Sequence, residues 1–156
     1  MPRKKLVRRK KIHLDPIHGN VLIGHLIHKI LVDGKKQRAE KIVYSALDNV
    51  AEKIGKTPVE VIEEAVDLCR PRVEVKPRRV GGSTYQVPIE VTQERGEALA
   101  IKWIVMFSRK KKGMPMYRRL ASEINDTFSG QGSALKKKQD THKMAEANKA
   151  FAHYRW

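Results

Sequence analysis

Cysteine is almost missing from this chain: Cys69 is the only one in 156 residues, so no internal disulfide can form. A reducing compartment suits such a sequence, and Cys69 is expected as a small apolar filler in a helix. No apolar run approaches the roughly 20 residues that a membrane-spanning helix needs. The start, "MPRKKLVRRKKIHL", is basic but lacks the apolar stretch of a secretory signal. A transit peptide would be rich in serine, whereas the first serine here is Ser45.

Catalytic signatures are missing too. The run "GGST" leaves one strand-like segment and enters another, so it is no phosphate-binding loop ahead of a helix. No Gly-x-Ser-x-Gly elbow occurs, and Cys69 has no histidine partner by motif. His25 with His28, and His142 with Glu146, have helical spacings that suit a shared metal, yet no third ligand follows at a recognisable distance. No cofactor, metal centre or enzymatic activity is expected.

Acids are the remaining shortage. Asp and Glu number 17 against 33 Lys and Arg, a formal net charge of +16. An excess that large suits a polyanionic partner, either nucleic acid or an anionic membrane surface. The positive charge is also clustered. Arg3, Lys4, Lys5, Arg8, Arg9, Lys10 and Lys11 crowd the start with no acid among them. Lys35, Lys36, Arg38 and Lys41 follow a break at Asp33-Gly34. Arg72, Lys76, Arg78 and Arg79 lie in or beside a strand-like segment. Arg109, Lys110, Lys111 and Lys112, then Arg118 and Arg119, flank a Gly-Met-Pro loop, and Lys136, Lys137, Lys138 and Lys143 form the last group. Over residues 42–69 the balance reverses: Asp48, Glu52, Glu60, Glu63, Glu64 and Asp67 face only Lys53 and Lys56. A single charge run is usually a solvated face. Clusters at several element ends, with one acidic element kept apart, indicate a polyanion-binding side and a side turned away from it.

Periodicity predicts a mainly α protein: one domain, a bundle of about six helices with one protruding two-stranded β-hairpin. Asn20 caps a first helix, and Gly34 follows its end. Ala39, Ile42, Val43, Ala46, Leu47, Val50, Ala51 and Ile54 stripe a second helix that Gly55 stops. "TPVE" supplies a capping box for the third, with Pro58 at its first position. "EALAIKWIVMF" is apolar nearly all round, the mark of a central helix, with Trp103 and Phe107 in the core. A fifth helix starts at Pro115 or Met116, and a sixth near Ser133. The aromatic end, "FAHYRW", suits either stacking on bases or packing back on the bundle.

Between the third and fourth helices, Val73 and Val75 alternate with charges, as do Tyr85, Val87, Ile89 and Val91 with polar residues. Pro77 and Pro88 cannot donate to a ladder, which confines these strands to a two-stranded ribbon. Sorting the faces by polarity pairs Val75 with Val87, Pro77 with Tyr85 and Arg79 with Ser83, leaving Val80-Gly81-Gly82 as a three-residue turn. The ribbon then has one apolar and one cationic face, reaches roughly 20 Å, and is mobile without a ligand.

The blocks "DGKKQRAEKIVYSALDNVAEKIGKTPVEV", "RPRVEVKPRRVGGSTYQVPIEV" and "DTHKMAEANKAFAHYRW" resemble, in order and spacing, the bacterial-type family of ribosomal protein seven of the small subunit. The likeness runs almost the full length. It implies a helical bundle with a β-hairpin that binds the 3′ major domain of 16S rRNA and nucleates assembly of the 30S head. It also implies a place near the exit-site tRNA and the mRNA path, contacts with small-subunit proteins nine and eleven, no membrane, and a cytoplasmic or organellar home. By the same likeness residues 3–11, Lys35, Lys36, Lys76, Arg78, Arg79, Arg109, Lys110, Lys111 and Lys112 would lie on rRNA. Gly81, Gly82, Ser83, Thr84 and Tyr85 at the hairpin tip, with His142, Lys143 and Lys149, would lie towards tRNA. The chain departs from the family pattern at Met114, where a basic or polar residue is expected. Judged from residues alone, a DNA-binding architectural protein is the alternative, since helices with a basic ribbon also suit DNA.

Overall fold

The computed structural model describes residues 14–154. Six α-helices, one hairpin and a closing 3₁₀ segment make up the described chain. In order these are α1 (Val21–Ile30), α2 (Lys36–Ile54), α3 (Pro58–Cys69), β1 (Val73–Val80), β2 (Ser83–Glu90), α4 (Gln93–Lys110), α5 (Met116–Phe128), α6 (Ser133–Ala147) and the 3₁₀ segment Lys149–Tyr154. The mainly helical class and the single hairpin are as the sequence predicts.

Local chemistry sets the helix ends. Asn20 Oδ1 accepts from the N–H groups of Leu22 (2.8 Å) and Ile23 (3.3 Å), satisfying orphan donors at the start of α1. Thr57 Oγ1 accepts from Glu60 N, while the Glu60 carboxylate accepts from Thr57 N, so the capping box of α3 closes in both directions. Gly55 ends α2 with φ 73°, a left-handed conformation that an L side chain resists.

Helix α4 runs through the middle, packing on α1, α3, α5 and α6. Its buried residues, among them Ala100, Ile101, Trp103, Ile104 and Val105, face several neighbours, which explains a sequence apolar nearly all round. They join Leu26, Val43, Leu47, Ile62, Leu120 and Ile124 in one continuous hydrophobic cluster. Gly96 lets the start of α4 approach the chain after α3: a Cβ there would lie 2.7 Å from Arg70 Cγ.

The hairpin corrects the predicted register by one residue. Val80 pairs with Ser83, Arg79 with Thr84, Arg78 with Tyr85, Lys76 with Val87 and Val75 with Pro88. The turn is therefore Gly81-Gly82 alone, with φ of 56° and 88°. Two successive positive φ values fit the primed two-residue turns, whose twist matches the strands they join. Turn geometry sets the register, and sorting by polarity loses. As a result the faces are mixed. Tyr85, Val87 and Ile89 share theirs with Glu74, Lys76, Arg78 and Val80, so no wholly cationic face exists.

The ribbon is not free-standing either. Both strands lean on α6, and β2 also packs against the 3₁₀ segment. Val87 is fully buried there. Tyr85 meets the rings of Phe151 and Tyr154 at centroid distances of 5.1 and 5.2 Å. Of the two roles open to the aromatic end, packing is the one seen, against the hairpin rather than the helices. Trp156 lies outside the described residues.

Candidate nucleic-acid interface

Two connections far apart in sequence meet at one end of the bundle. The first follows α1, where Asp33 (φ 52°) and Gly34 (φ 70°) turn the chain into α2. Lys35, Lys36 and Arg38 are exposed on that first turn. Helix α2 begins without an acid in its first turn and without a side-chain cap, so its positive end is left for an anion. The second connection carries Arg109, Lys110, Lys111 and Lys112 out of α4 towards α5.

Between them lies a cleft of about 340 Å³, lined by Ile30, Val32, Asp33, Lys35, Arg38, Ala39, Ile42, Arg109 and Met116. Arg109 is fixed at its edge. Its guanidinium donates to the carbonyls of Lys29 (3.1 Å) and Ile30 (3.3 Å), capping the negative end of α1. Arg38 belongs here although the resemblance does not single it out. It lines the cleft together with Lys35, the residue that precedes α2, and both belong to the basic run after Asp33-Gly34 that the sequence displays.

The basic run splits by direction. Lys110 and Lys112 are exposed, and the Lys110 ammonium lies 5.1 Å from the Phe107 ring centroid. Lys111 turns inward. Its Nζ donates to Asp126 Oδ2 (2.6 Å) and Ser122 Oγ (3.0 Å), and lies 3.0 Å from Glu123 Oε2. Glu123 is fully buried, and its other oxygen accepts from Ala134 N at 3.0 Å, in the first turn of α6. Burial would lower the Lys111 pKa, but the Asp126 and Glu123 carboxylates outweigh it and hold the ammonium above its ordinary range. The expectation that Lys111 lies on RNA meets a side chain already spent on joining α4, α5 and α6.

The hairpin and the last helix present a second group. Gly81, Gly82, Ser83 and Thr84 are exposed at the tip, and Arg79 is exposed on the strand face away from Tyr85. Lys76 is exposed and lies 3.2 Å from Glu74, and Arg78 is half-buried. Tyr85 is engaged by the aromatic pair described above. His142 is likewise committed: its Nε2 accepts from Arg72 N at 3.0 Å, tying α6 to the hairpin root. Desolvation, then the positive charges of Lys138 and Arg72, hold its pKa below the ordinary imidazole range. Lys143 and Lys149 are exposed. Residues 3–11 lie outside the described residues.

The acidic element stands elsewhere. Asp48 and Glu52 on α2, with Glu60, Glu63 and Asp67 on α3, are exposed on two helices that pack side by side. Cys69 is buried behind them, and burial pushes its thiol up to about 11, as an inert filler requires.

Residues 2–149 match the family model described as "Ribosomal protein S7p/S5e". The chain is 56% identical over 156 residues to the small ribosomal subunit protein uS7 of Carboxydothermus hydrogenoformans, a match covering 100% of both chains. It is 55% identical over 156 residues to that of Dictyoglomus turgidum, again covering 100% of both. With that of Thermotoga neapolitana the identity is 54% over 154 residues, or 99% of each.

Proposed function

The chain belongs to the ribosomal protein S7p/S5e family, structural and non-enzymatic proteins of the small ribosomal subunit, and from that premise we propose that it binds the 3′ major domain of 16S rRNA and nucleates assembly of the 30S head. The observation that carries this reading is the convergence of two chain-distant basic loops on one cleft. Neutralising phosphates there needs no further folding of the bundle. Lys35, Lys36, Arg109, Lys110 and Lys112 are the contacts we assign to rRNA, with residues 3–11 as an added arm. Lys111 is left out, because its ammonium holds Glu123 and Asp126.

The hairpin carries Arg79 and the Gly81-Gly82 tip away from the bundle, towards a second RNA element. The tip, with Lys143 and Lys149, faces the exit-site tRNA near the mRNA path. His142 and Tyr85 act there as supports for α6 and the hairpin rather than as contacts. Small-subunit proteins nine and eleven are the protein neighbours, eleven at the C-terminal end of the last helix. The chain works as a single RNA-binding domain in the cytoplasmic subunit.

Filter binding to a head-domain RNA fragment tests this. Affinity should fall by roughly 0.7–0.9 log units per phosphate contact for each tenfold rise in salt. A flat salt profile would sink the electrostatic account, and duplex DNA displacing the RNA at equal nucleotide concentration would favour a DNA-binding role. Co-sedimentation of the tagged chain with 30S particles is the matching test in a lysate.

A further inference from the structure

We propose that Lys138 is a site of acylation by small acyl phosphates, its amine acting as the nucleophile and the Arg70 and Arg72 guanidiniums as the seat for the phosphate. This stands apart from the RNA-binding reading, and neither depends on the other.

Lys138 belongs to α6 but acts at the end of α3. Its Nζ donates to the Leu68 carbonyl at 2.7 Å, in the last turn of a helix that carries no basic residue there itself. One turn further along α6, His142 accepts the Arg72 N–H, so two side chains of one helix hold the same connection. That connection brings Arg70 and Arg72 close enough to act on the amine. The stem of Arg70 packs where Gly96 lets α4 pass, and its guanidinium lies 3.4 Å from Asp67 Oδ1. Arg72 is exposed. Lys143, on the same helix, is fully open to solvent, whereas Lys138 is half-buried between two cations.

Those surroundings favour the free amine. Desolvation first, then the positive charges of Arg72 and Arg70, hold its pKa below the ordinary 10.5. Asp67 and Cys69 act the other way, but Cys69 does so only as a thiolate, and its buried thiol, pushed up to about 11, is neutral at neutral pH. A desolvated lysine beside another cation is an activated nucleophile. The same guanidiniums choose the reagent, since their planar forks match phosphate oxygens. In the step, the lone pair of Lys138 Nζ attacks the acyl carbon and the bond from that carbon to the bridging phosphate oxygen breaks. Inorganic phosphate leaves with the electron pair and takes up one amine proton. The product amide keeps an N–H for the Leu68 carbonyl but has lost its positive charge. The hairpin root thus changes charge without losing its tie to α6.

Acetyl phosphate incubated with the full chain, with acetylation followed residue by residue by mass spectrometry, tests the proposal. Lys138 should react about threefold or more faster than Lys143. With N-hydroxysuccinimidyl acetate, which carries no phosphate, that lead should shrink. Inorganic phosphate should slow the acetyl phosphate reaction at Lys138, relative to chloride at the same ionic strength, and spare Lys143. Arg72→Gln should likewise slow Lys138 alone, with an unchanged circular dichroism spectrum separating a lost seat from a lost fold. No lead of Lys138 over Lys143 with acetyl phosphate would overturn the proposal. So would an equal lead with both reagents, or a parent chain whose Lys138 rate ignores inorganic phosphate.

Discussion

The bundle and the hairpin are held together by different means. In the bundle, α4 is surrounded by four helices and the core residues are almost wholly removed from water. In the hairpin Val87 is the one buried residue, and a ring cluster, His142 and the Glu74 ion pairs add to the packing on α6. Apolar burial is non-directional and tolerant, so the bundle is robust to small changes. The hairpin depends on a few directional contacts at its root and flank, each open to separate removal. The proposed binding surface draws on both: a cleft at one end of the bundle, and an arm with far less buried apolar surface.

The sharpest test of the bundle is Glu123, a carboxylate wholly removed from water. Glu123→Ala would leave the half-buried Lys111 ammonium without its inner partner and orphan the Ala134 N–H. Breaking such a pair costs about 3–5 kcal/mol, to be read as a lower urea midpoint. Glu123→Gln keeps an acceptor for Ala134 and should cost less. Lys111→Met should lower stability, whereas Lys112→Gln should leave stability alone and weaken RNA binding. Equal effects of both on RNA affinity, with stability unchanged, would return Lys111 to the RNA surface.

Legibility in the sequence follows the same division. Helix ends were readable because caps are local: Asn20, Thr57 with Glu60, and Gly55 act within a turn of themselves. The central place of α4 was readable from a pattern with no polar face. The hairpin's existence was readable from alternation and proline, but its register was not. Polarity sorting assumes that one face is dry, while here Glu74 shares the Val87 face and is neutralised by Arg95 and Lys76. Lys111 was unreadable for a related reason: its acidic partners lie on α5, and nothing within "RKKK" marks the third cation as inward. Arg109 at the α1 carbonyls and Tyr85 against Phe151 are likewise long-range meetings. The clustered charge was legible throughout, since composition needs no fold.

On the hairpin, Tyr85→Ala removes two aromatic contacts worth about 0.5–1.5 kcal/mol each. Hydrogen exchange should speed up in the β1 and β2 amides and stay unchanged in α4. Equal loosening of both would mean that the hairpin and the bundle are one cooperative unit. A smaller change acts at the turn. Gly81→Ala meets no atom within 4 Å, so its cost is purely conformational, about 1–2 kcal/mol for a left-handed alanine. Cross-strand contacts should then report fraying from the tip, with the Lys76–Val87 pairing retained.

The smallest expected effect is a response to acid confined to the hairpin root. His142 accepts the Arg72 N–H only as a neutral ring, and its pKa is lowered from 6.5, first by desolvation and then by Lys138 and Arg72. A lowered pKa means that the unfolded chain takes the proton more readily. The stability His142 contributes is therefore fully present above 6.5 and is lost as pH falls through the lowered native value. Glu74 follows at lower pH. Hydrogen bonds from Arg95, then from Lys76, outweigh desolvation and hold its carboxyl below the ordinary 4.5. Its contribution is present above 4.5 and fades as pH drops through the depressed native value. Both groups tie the same strand, so acid should loosen β1 in two steps, first at Arg72 and then at Glu74, while α4 amides keep their protection. His142→Gln should abolish the first step and spare the second, and Arg95→Gln should do the reverse. A single acid transition shared by hairpin and bundle would erase the difference between the two regions.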